Sequence, residues 1–467
     1  MATFNDGKGT VTAMTAAKSS LTIKLGTIGL LILILMIPSV MLEKTLKERK
    51  SLYEAAKSDV SRMWGGSQVI AGPVLVIPYM SGNEYDSRGT LVSINTKKYA
   101  YFLPDNLKIN GEVLPEIRKR GIYNMVLYKS QIELSGDFEA PDIEALGIPI
   151  DKVLLNQAYL SIGITDMQGI SEMITVSWDN NLHKVEPGIG IGLNNMISSG
   201  VHIPLGKNSD AINSNKHTFK TQIQLKGSEC LQFLPLGKET DVGIVSNWNN
   251  PSFNGKYLPS EREVRDSGFN AQWKILQLNR NYPQKWTGGT YELNQSAFGV
   301  DLIMPVDEYL KISRTNKYSL LFVALTFCAF FFIEVMSRRR LHAIQYLLIG
   351  FAICLFYYLL LSLAECIGFG YAYLIAGFAI TALITGYSQA VFVNVRLSGI
   401  IAAVLGGLYS FLYVTLQQQD YALLMGSIGL FVILAVTMFL TSKIDWYAIG
   451  KNCVPENANR SDDKNLL

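Results

Sequence analysis

Leu25–Leu42, LGTIGLLILILMIPSVML, is an apolar run without a single charge. Its length suits a helix crossing a hydrocarbon core of roughly 30 Å. A cleaved signal peptide is the competing reading. Such a segment has a shorter apolar region and an A-x-A-like end, whereas here Pro38, Ser39 and Val40 lead straight into Met41, Leu42 and Glu43. A retained first transmembrane helix, 25–42, is therefore expected behind a cytoplasmic tail, 1–24.

Toward the C-terminus a polar stretch intervenes, and apolar runs resume at 318–336, 343–363, 370–387, 397–416 and 421–440. Backbone groups in lipid must find partners within their own segment, so each run is expected to be helical. Arg338, Arg339 and Arg340 in the first linker point it to the cytoplasm. The linker 364–369 lacks Lys and Arg, Arg396 ends the next, 417–420 again lacks cations, and the tail 441–467 carries Lys443, Lys451, Arg460 and Lys464. This alternation puts both termini inside and 43–317 outside. Lys44, Lys47, Arg49 and Lys50 oppose that orientation, but a long translocated domain can override its local charge. Trp446 and Tyr447 follow the last run, as interfacial aromatics do. Gly399, Ala403 and Gly407, with Ala402, Gly406 and Ser410 beside them, suit close helix packing within the bundle or between two copies.

Whole-chain composition agrees. Among 467 residues, Lys+Arg number 41 against Asp+Glu 38, which lacks the basic surplus of a nucleic-acid binder. Charged residues are only 17%, low for a soluble chain. Of the cysteines Cys230, Cys328, Cys354, Cys366 and Cys453, only Cys230 lies in the polar middle, and no CxxC occurs. A disulfide framework there is excluded.

Within the polar middle, 43–64 reads as a charged helical stalk with Leu46, Tyr53, Val60 and Trp64 on one face, broken by Gly65-Gly66. Beyond it, 74–78, 99–103, 131–134 and 221–225 are short β-branched, aliphatic or aromatic runs, punctuated by turn residues such as Pro104-Asp105-Asn106 and Asn110-Gly111. The expected fold class is an α+β membrane protein. Six transmembrane helices, one N-terminal and five C-terminal (318–440), would flank a large all-β extracytoplasmic domain, 65–317, a sandwich or multi-sheet. The linker-like composition of 206–215 leaves room for two lobes divided near 205–217.

Chemical motifs are scarce. His183, His202 and His217 lie too far apart for a metal-binding pattern and read as ordinary histidines. Gly188-Ile189-Gly190-Ile191-Gly192 lacks a following helix and reads as a turn or strand edge, not a nucleotide loop. No catalytic, cofactor-binding or metal-binding residue is expected. Glu334 in the second span suits an ion pair with Arg338 one turn on, or else an ion or proton path. Glu365 is expected at the outer interface. No unwound or Gly/Pro-broken helix pair suggests a transporter of inverted repeats.

The stretches SNWNNPSF (246–253), Leu258-Pro259 and SGFNAQW (267–273) resemble the hallmark of the CreD family of inner-membrane proteins. So do Gly72-Pro73 before the first strand, GVHIPL (200–205), Asp307-Glu308-Tyr309, the run from Lys317 to Phe332, and 340–350. The resemblance covers roughly residues 20 to 450 in the same order. It implies a role in cell-envelope integrity, typically under a two-component system that senses envelope stress or β-lactam action. It supplies no catalytic residue. Trp248, Pro251, Phe253 and Trp273 are expected to be core anchors or a partner patch. The leading expectation is thus a non-enzymatic membrane protein whose outer domain binds an envelope component or a protein. Transport or lipid handling by the helices, and an extracytoplasmic hydrolase, are the alternatives.

Overall fold

The computed structural model describes residues 8–81, 84–85, 91–93, 96–190, 198–206, 215–289, 291–304, 308–337, 341–417 and 422–442. Arg338, Arg339 and Arg340, most of the 205–217 stretch, Trp446, Tyr447, residues 1–7 and most of the expected C-terminal tail lie outside the described residues. The chain divides into two compact units, Tyr53–Val306 and Met1–Leu52 with Asp307–Leu467.

The first unit is rich in strands: β1 (Gln68–Met80), β2 (Glu84–Tyr85), β3 (Leu91–Ser93), β4 (Lys97–Phe102), β5 (Asn106–Arg120), β6 (Tyr123–Glu139), β7 (Tyr159–Ile164), β8 (Thr175–Trp178), β9 (Asn181–Lys184) and β10 (Glu186–Pro187). There follow β11 (Gly200–Pro204), β12 (Lys216–Ser228), β13 (Cys230–Phe233), β14 (Glu239–Ser246), β15 (Pro251–Gly255), β16 (Glu261–Arg265), β17 (Gly268–Leu276), β18 (Lys285–Thr287) and β19 (Phe298–Leu302). One sheet has the order β10-β11-β7-β1-β13-β19-β15, with β4 on β1 and β18 on β4. The other has the order β16-β17-β14-β5-β6-β12-β8-β9, and β2 pairs with β3 alone.

Residue patterns explain the sheets. Along β12 every second residue from His217 to Leu225 is buried and the intervening ones face outward, the period of a half-buried strand. β1 is buried almost throughout, as its continuous apolar run requires of a central strand. Gly72-Pro73 lies inside β1, not before it, at the register shift between Ala71 and Val74 against β7. Proline lacks a donor and is tolerated at such irregularities. Gly72 has φ +117°, and a Cβ there would stand 2.8 Å from the Ser161 carbonyl oxygen.

One apolar core joins both sheets, from Ile70 and Val300 to Ile132 and Trp273. Each sheet takes strands from both sides of 205–217, so the described residues do not divide into two lobes there. The chain crosses between sheets too often for either half to own a core.

The segment 43–64 is helical and continuous with the apolar run, inside α1 (Lys8–Trp64). Its last turns are not a bare stalk. Tyr53 packs edge-on against Tyr123 with centroids 5.5 Å apart, and the Arg118 guanidinium lies 4.1 Å from the Trp64 ring centre.

The second unit adds α2 (Glu308–Lys317), α3 (Ser319–Ser337), α4 (Ala343–Ile367), α5 (Phe369–Phe392), α6 (Val395–Gln417) and α7 (Ala422–Ser442). Among the described residues four helices are long and apolar enough to cross a membrane: Ile23–Trp64 within α1, α4, α5 and α6. The pair α2–α3, bent by 45°, makes a fifth if counted as one span. The apolar stretch of α7, Leu424–Phe439, is shorter.

Two expectations change here. Residues 308–317 form a helix of the second unit, where 65–317 was expected to be β throughout; Tyr309, Ile312 and Asn316 recur at helical spacing, but the polar residues between them hide it. A broken helix pair also exists, at Tyr318. On α6, Ser398, Ile401, Leu405 and Tyr409 are buried, whereas Gly399, Ala403, Gly407 and Ser410 are exposed. Among the described residues the face of Gly399, Ala403 and Gly407 therefore does not pack within this bundle, while Ala402 and Gly406 are half-buried.

Candidate functional site

Among the described residues Glu334 is the most enclosed acid of the helical unit, 7% exposed near the end of α3. Its expected partner Arg338 lies outside the described residues, and its observed partners come from other elements. Lys24 of α1 forms an ion pair with Oε1. The Leu341 backbone N–H also donates to Oε1, at 3.1 Å, and the Tyr346 hydroxyl donates to Oε2 at 3.0 Å. Lys24 in turn reaches the Leu341 carbonyl oxygen at 3.3 Å. A cation and two further donors compensate the desolvation of a carboxylate that would otherwise be costly in apolar surroundings. These described partners include no second acid or imidazole to which a proton could pass. The arrangement ties α1, α3 and the start of α4 together.

A second polar junction lies fifteen residues further along α1. The hydroxyls of Ser39 and Ser319 meet at 2.6 Å, Ser39 donates to Asn316 Oδ1 at 2.9 Å, and Asn316 Nδ2 donates to the Ser39 carbonyl oxygen at 3.1 Å. Ser319 and Glu334 are also fifteen residues apart, so α1 and α3 run antiparallel with one register over roughly 22 Å. Beyond it, Glu365 accepts from Tyr309 at 3.1 Å and stands 3.8 Å from Arg49. Lys24 and Arg49 are separated along α1 by roughly 37 Å, slightly more than a hydrocarbon core. Sequence reading found both acids but not their partners, since each comes from a distant part of the chain.

In the β unit the residues of 246–273 gather around one aromatic cluster. Trp273 is 2% exposed, and its Nε1 donates to the Tyr257 carbonyl oxygen at 3.3 Å. Phe253 meets Phe269 and Trp273 with centroids 5.6 and 5.8 Å apart. Trp248 is half-buried and donates to the Asn250 carbonyl oxygen at 3.1 Å, while Pro251 opens β15 opposite Leu302. This segment supplies an outer strand to each large sheet, β15 to one and β16 to the other. Arg262 of β16 lies 5.9 Å from the centre of the Phe253 ring. Trp273 thus anchors the core, whereas Trp248 and Phe253 reach the border between core and solvent.

Other chemistry-bearing residues are structurally occupied. His217 is fully buried, stacks on Trp178 at 5.1 Å and holds Asp179 Oδ2 through Nδ1 at 2.6 Å. Asp179 and Asn180 take φ of 46° and 63° in the β8–β9 turn, and the Thr218 backbone N–H donates to Asp179 Oδ1 at 2.7 Å. The pair thereby pins a hairpin. His202 uses Nδ1 on the Gly188 carbonyl oxygen at 2.7 Å, and His183 lies on β9 in the other sheet. Burial pushes the Cys230 thiol up, with Asp301 and Glu229 adding to it against a hydrogen bond from Ser67. A raised thiol is a poor nucleophile. Among the described residues no three His, Cys, Asp or Glu side chains are grouped to hold a metal.

The family model described as "Inner membrane protein CreD" matches residues 20–447. The Inner membrane protein CreD of Escherichia coli (strain K12) is 32% identical over 422 residues, covering 90% of this chain and 92% of that protein. A crystal structure of a putative nutrient binding protein from Legionella pneumophila overlaps 55% of this chain and 80% of its own, at 9% identity and a TM-score of 0.23. That likeness is too slight to bear on fold or function.

Proposed function

The chain belongs to the CreD family of inner membrane proteins, and from that premise we propose that it supports envelope integrity without catalysis, holding an envelope component or a protein through its β unit. The observation that carries this reading is the placement of 246–273. That segment forms an outer strand of each large sheet, keeps Trp248 and Phe253 half-buried, and leaves Leu258 and Val264 exposed. Outer strands present unpaired backbone groups to which an extended segment can add. β16 reads Glu261-Arg262-Glu263-Val264-Arg265, all exposed. Alternating charge there disfavours indiscriminate strand pairing and would select a partner of complementary pattern.

The proposed topology has six spans, both termini in the cytoplasm and 43–317 outside. Its support is the charge of Arg338, Arg339 and Arg340 and the spacing of the polar junctions along α1. Lipid handling by the helical unit is a second reading, favoured by the break between α2 and α3. A hydrolase gains nothing from Cys230, whose thiol is held up by burial.

A photo-crosslinking residue at Val264 or Leu258, irradiated in intact cells, should trap a defined adduct that one at Met173, 91% exposed, does not. Equal trapping at all three positions, or a deletion strain with unchanged sensitivity to detergents and envelope-targeting agents, would refute the proposal.

A further inference from the structure

β16 ends the sheet that runs β16-β17-β14-β5-β6-β12-β8-β9, and among the described residues no strand pairs with its other side. Its residues, Glu261-Arg262-Glu263-Val264-Arg265, are all exposed, and so are Asp266 and Ser267 of the turn into β17. Along a free edge alternate residues turn N–H and C=O outward, so backbone bonding stays open to a further strand. Which strand it accepts is set by the side chains.

Pairing with β17 divides those side chains between two faces. Glu261 and Glu263 stand opposite exposed Gln272 and Asn270, with Arg265 in the same row. Arg262 and Val264 stand opposite Ala271 and Phe269, on the face turned to the core. The sheet ends there, and Val264 is left 47% exposed. Within the strand, Arg265 Nε donates to Glu263 Oε1 at 2.8 Å.

The segment 262–266 runs Arg, Glu, Val, Arg, Asp, and run backward it has each charge reversed. A two-fold axis through Val264 therefore sets opposite charges together at every charged position of 262–266. Arg262 faces Asp266 of a second copy, Glu263 faces its Arg265, and Val264 faces its Val264. Opposed residues of an antiparallel pair share a face, so the two Glu263–Arg265 pairs form one square of alternating charge. Neighbouring registers lose this. Centring on Glu263 opposes two carboxylates, centring on Arg262 or Arg265 opposes two guanidinium groups, and parallel in-register pairing opposes every like charge. The other outer strands of the large sheets, β9, β10, β15 and β18, carry no such pattern. Self-complementarity is what an isologous two-fold contact requires.

We propose that two copies of this chain pair antiparallel through β16, in the register centred on Val264, joining their sheets into one. The proposal rests on the reading of the outer strands as docking edges, and it names a second copy as the partner of β16.

The test uses the full-length protein carrying Val264→Cys, treated with a mild oxidant in its own membrane. Directly opposed Cα atoms lie roughly 4.5–5.5 Å apart, within disulfide reach. Covalent dimer should exceed that of the unaltered protein and of Met173→Cys by about tenfold or more. Glu263→Cys, displaced from its own copy by roughly 7 Å along the strand, should give little. Adding Glu263→Arg or Arg265→Glu to Val264→Cys should lower the dimer by about fivefold or more. Both changes in one chain should restore it, and so should co-expression of the two singly reversed chains, because opposite charges then meet again. That recovery also shows that each reversed chain folds. If Val264→Cys itself fails to fold, Arg262→Cys co-expressed with Asp266→Cys reads the same register. Dimer no higher than in Met173→Cys, strongest in Glu263→Cys, or indifferent to charge reversal overturns the proposal. A photoreactive residue at Val264 that then traps a different protein leaves docking at the outer strands standing and removes only the second copy. No adduct at Val264 or Leu258 removes both.

Discussion

At Lys24 and Glu334 the pair can be dissected by a double-mutant cycle. Glu334→Gln leaves a part-buried ammonium facing a weaker acceptor, and Lys24→Met leaves a buried carboxylate with only two donors. Each single change should lower the unfolding temperature in detergent, with losses approaching the roughly 3–5 kcal/mol of a broken buried pair. Together they should cost clearly less than the sum. Asp301 offers a pH test. Burial raises its carboxyl, Glu229 adds to the rise, and the Asn254 hydrogen bond and Lys57 oppose it. A carboxyl raised in the folded state binds its proton more tightly there than in the unfolded chain. Its unfavourable contribution is therefore absent below the ordinary carboxylate range and grows as pH rises through the raised value. Asp301→Asn should gain stability relative to the unaltered protein between pH 4 and pH 7, measured by thermal unfolding; a constant difference across that range contradicts this. Glu334 was legible in the sequence as an acid in an apolar run. Lys24 was not legible as its partner, because no local spacing links residues 310 positions apart.

Between elements, packing separates two glycines that look alike in sequence. A Cβ at Gly350 of α4 would run into Leu35 and stand 3.0 Å from Phe327 Cζ, whereas Gly407 of α6 has nothing within 4 Å. Gly350→Ala should destabilise by about 1–3 kcal/mol through overpacking. Gly407→Ala should be neutral or stabilise by up to about 1 kcal/mol through helix propensity. Thermal unfolding of the two variants in one detergent compares them directly. The strands at 74–78, 131–134 and 221–225 were legible because β-branched and aliphatic runs between turn residues report strands without help from distant neighbours. α2 was not, since its polar residues outnumber the apolar ones that set its period. The small-residue face of α6 shows the limit of spacing alone: it establishes which residues share a face, and only packing tells which face turns inward.

For the whole molecule, orientation can be measured. In a chain stripped of its native cysteines, Met173→Cys should react with a membrane-impermeant thiol reagent in intact cells and Arg339→Cys only after permeabilisation. The opposite pattern would invert the proposed topology. Family membership and the division into β-rich and helical parts were readable because hydropathy and the 246–273 stretch are continuous in the chain. How the helical unit closes was not, because its pieces, up to Leu52 and from Asp307 on, are interrupted by the whole β unit. That interruption gives the Lys24–Glu334 pair a history. At about 5–20 residues per second of synthesis, Glu334 emerges some 15–60 s after Lys24. Throughout that wait α1 must lodge in the bilayer with its lysine unpaired, which a position at the end of the apolar run allows, since a long side chain there can reach the headgroups. An α1 that inserts before α3 is made would hold its lysine at the lipid surface as a temporary mooring, and bury it against Glu334 only when α3 arrives.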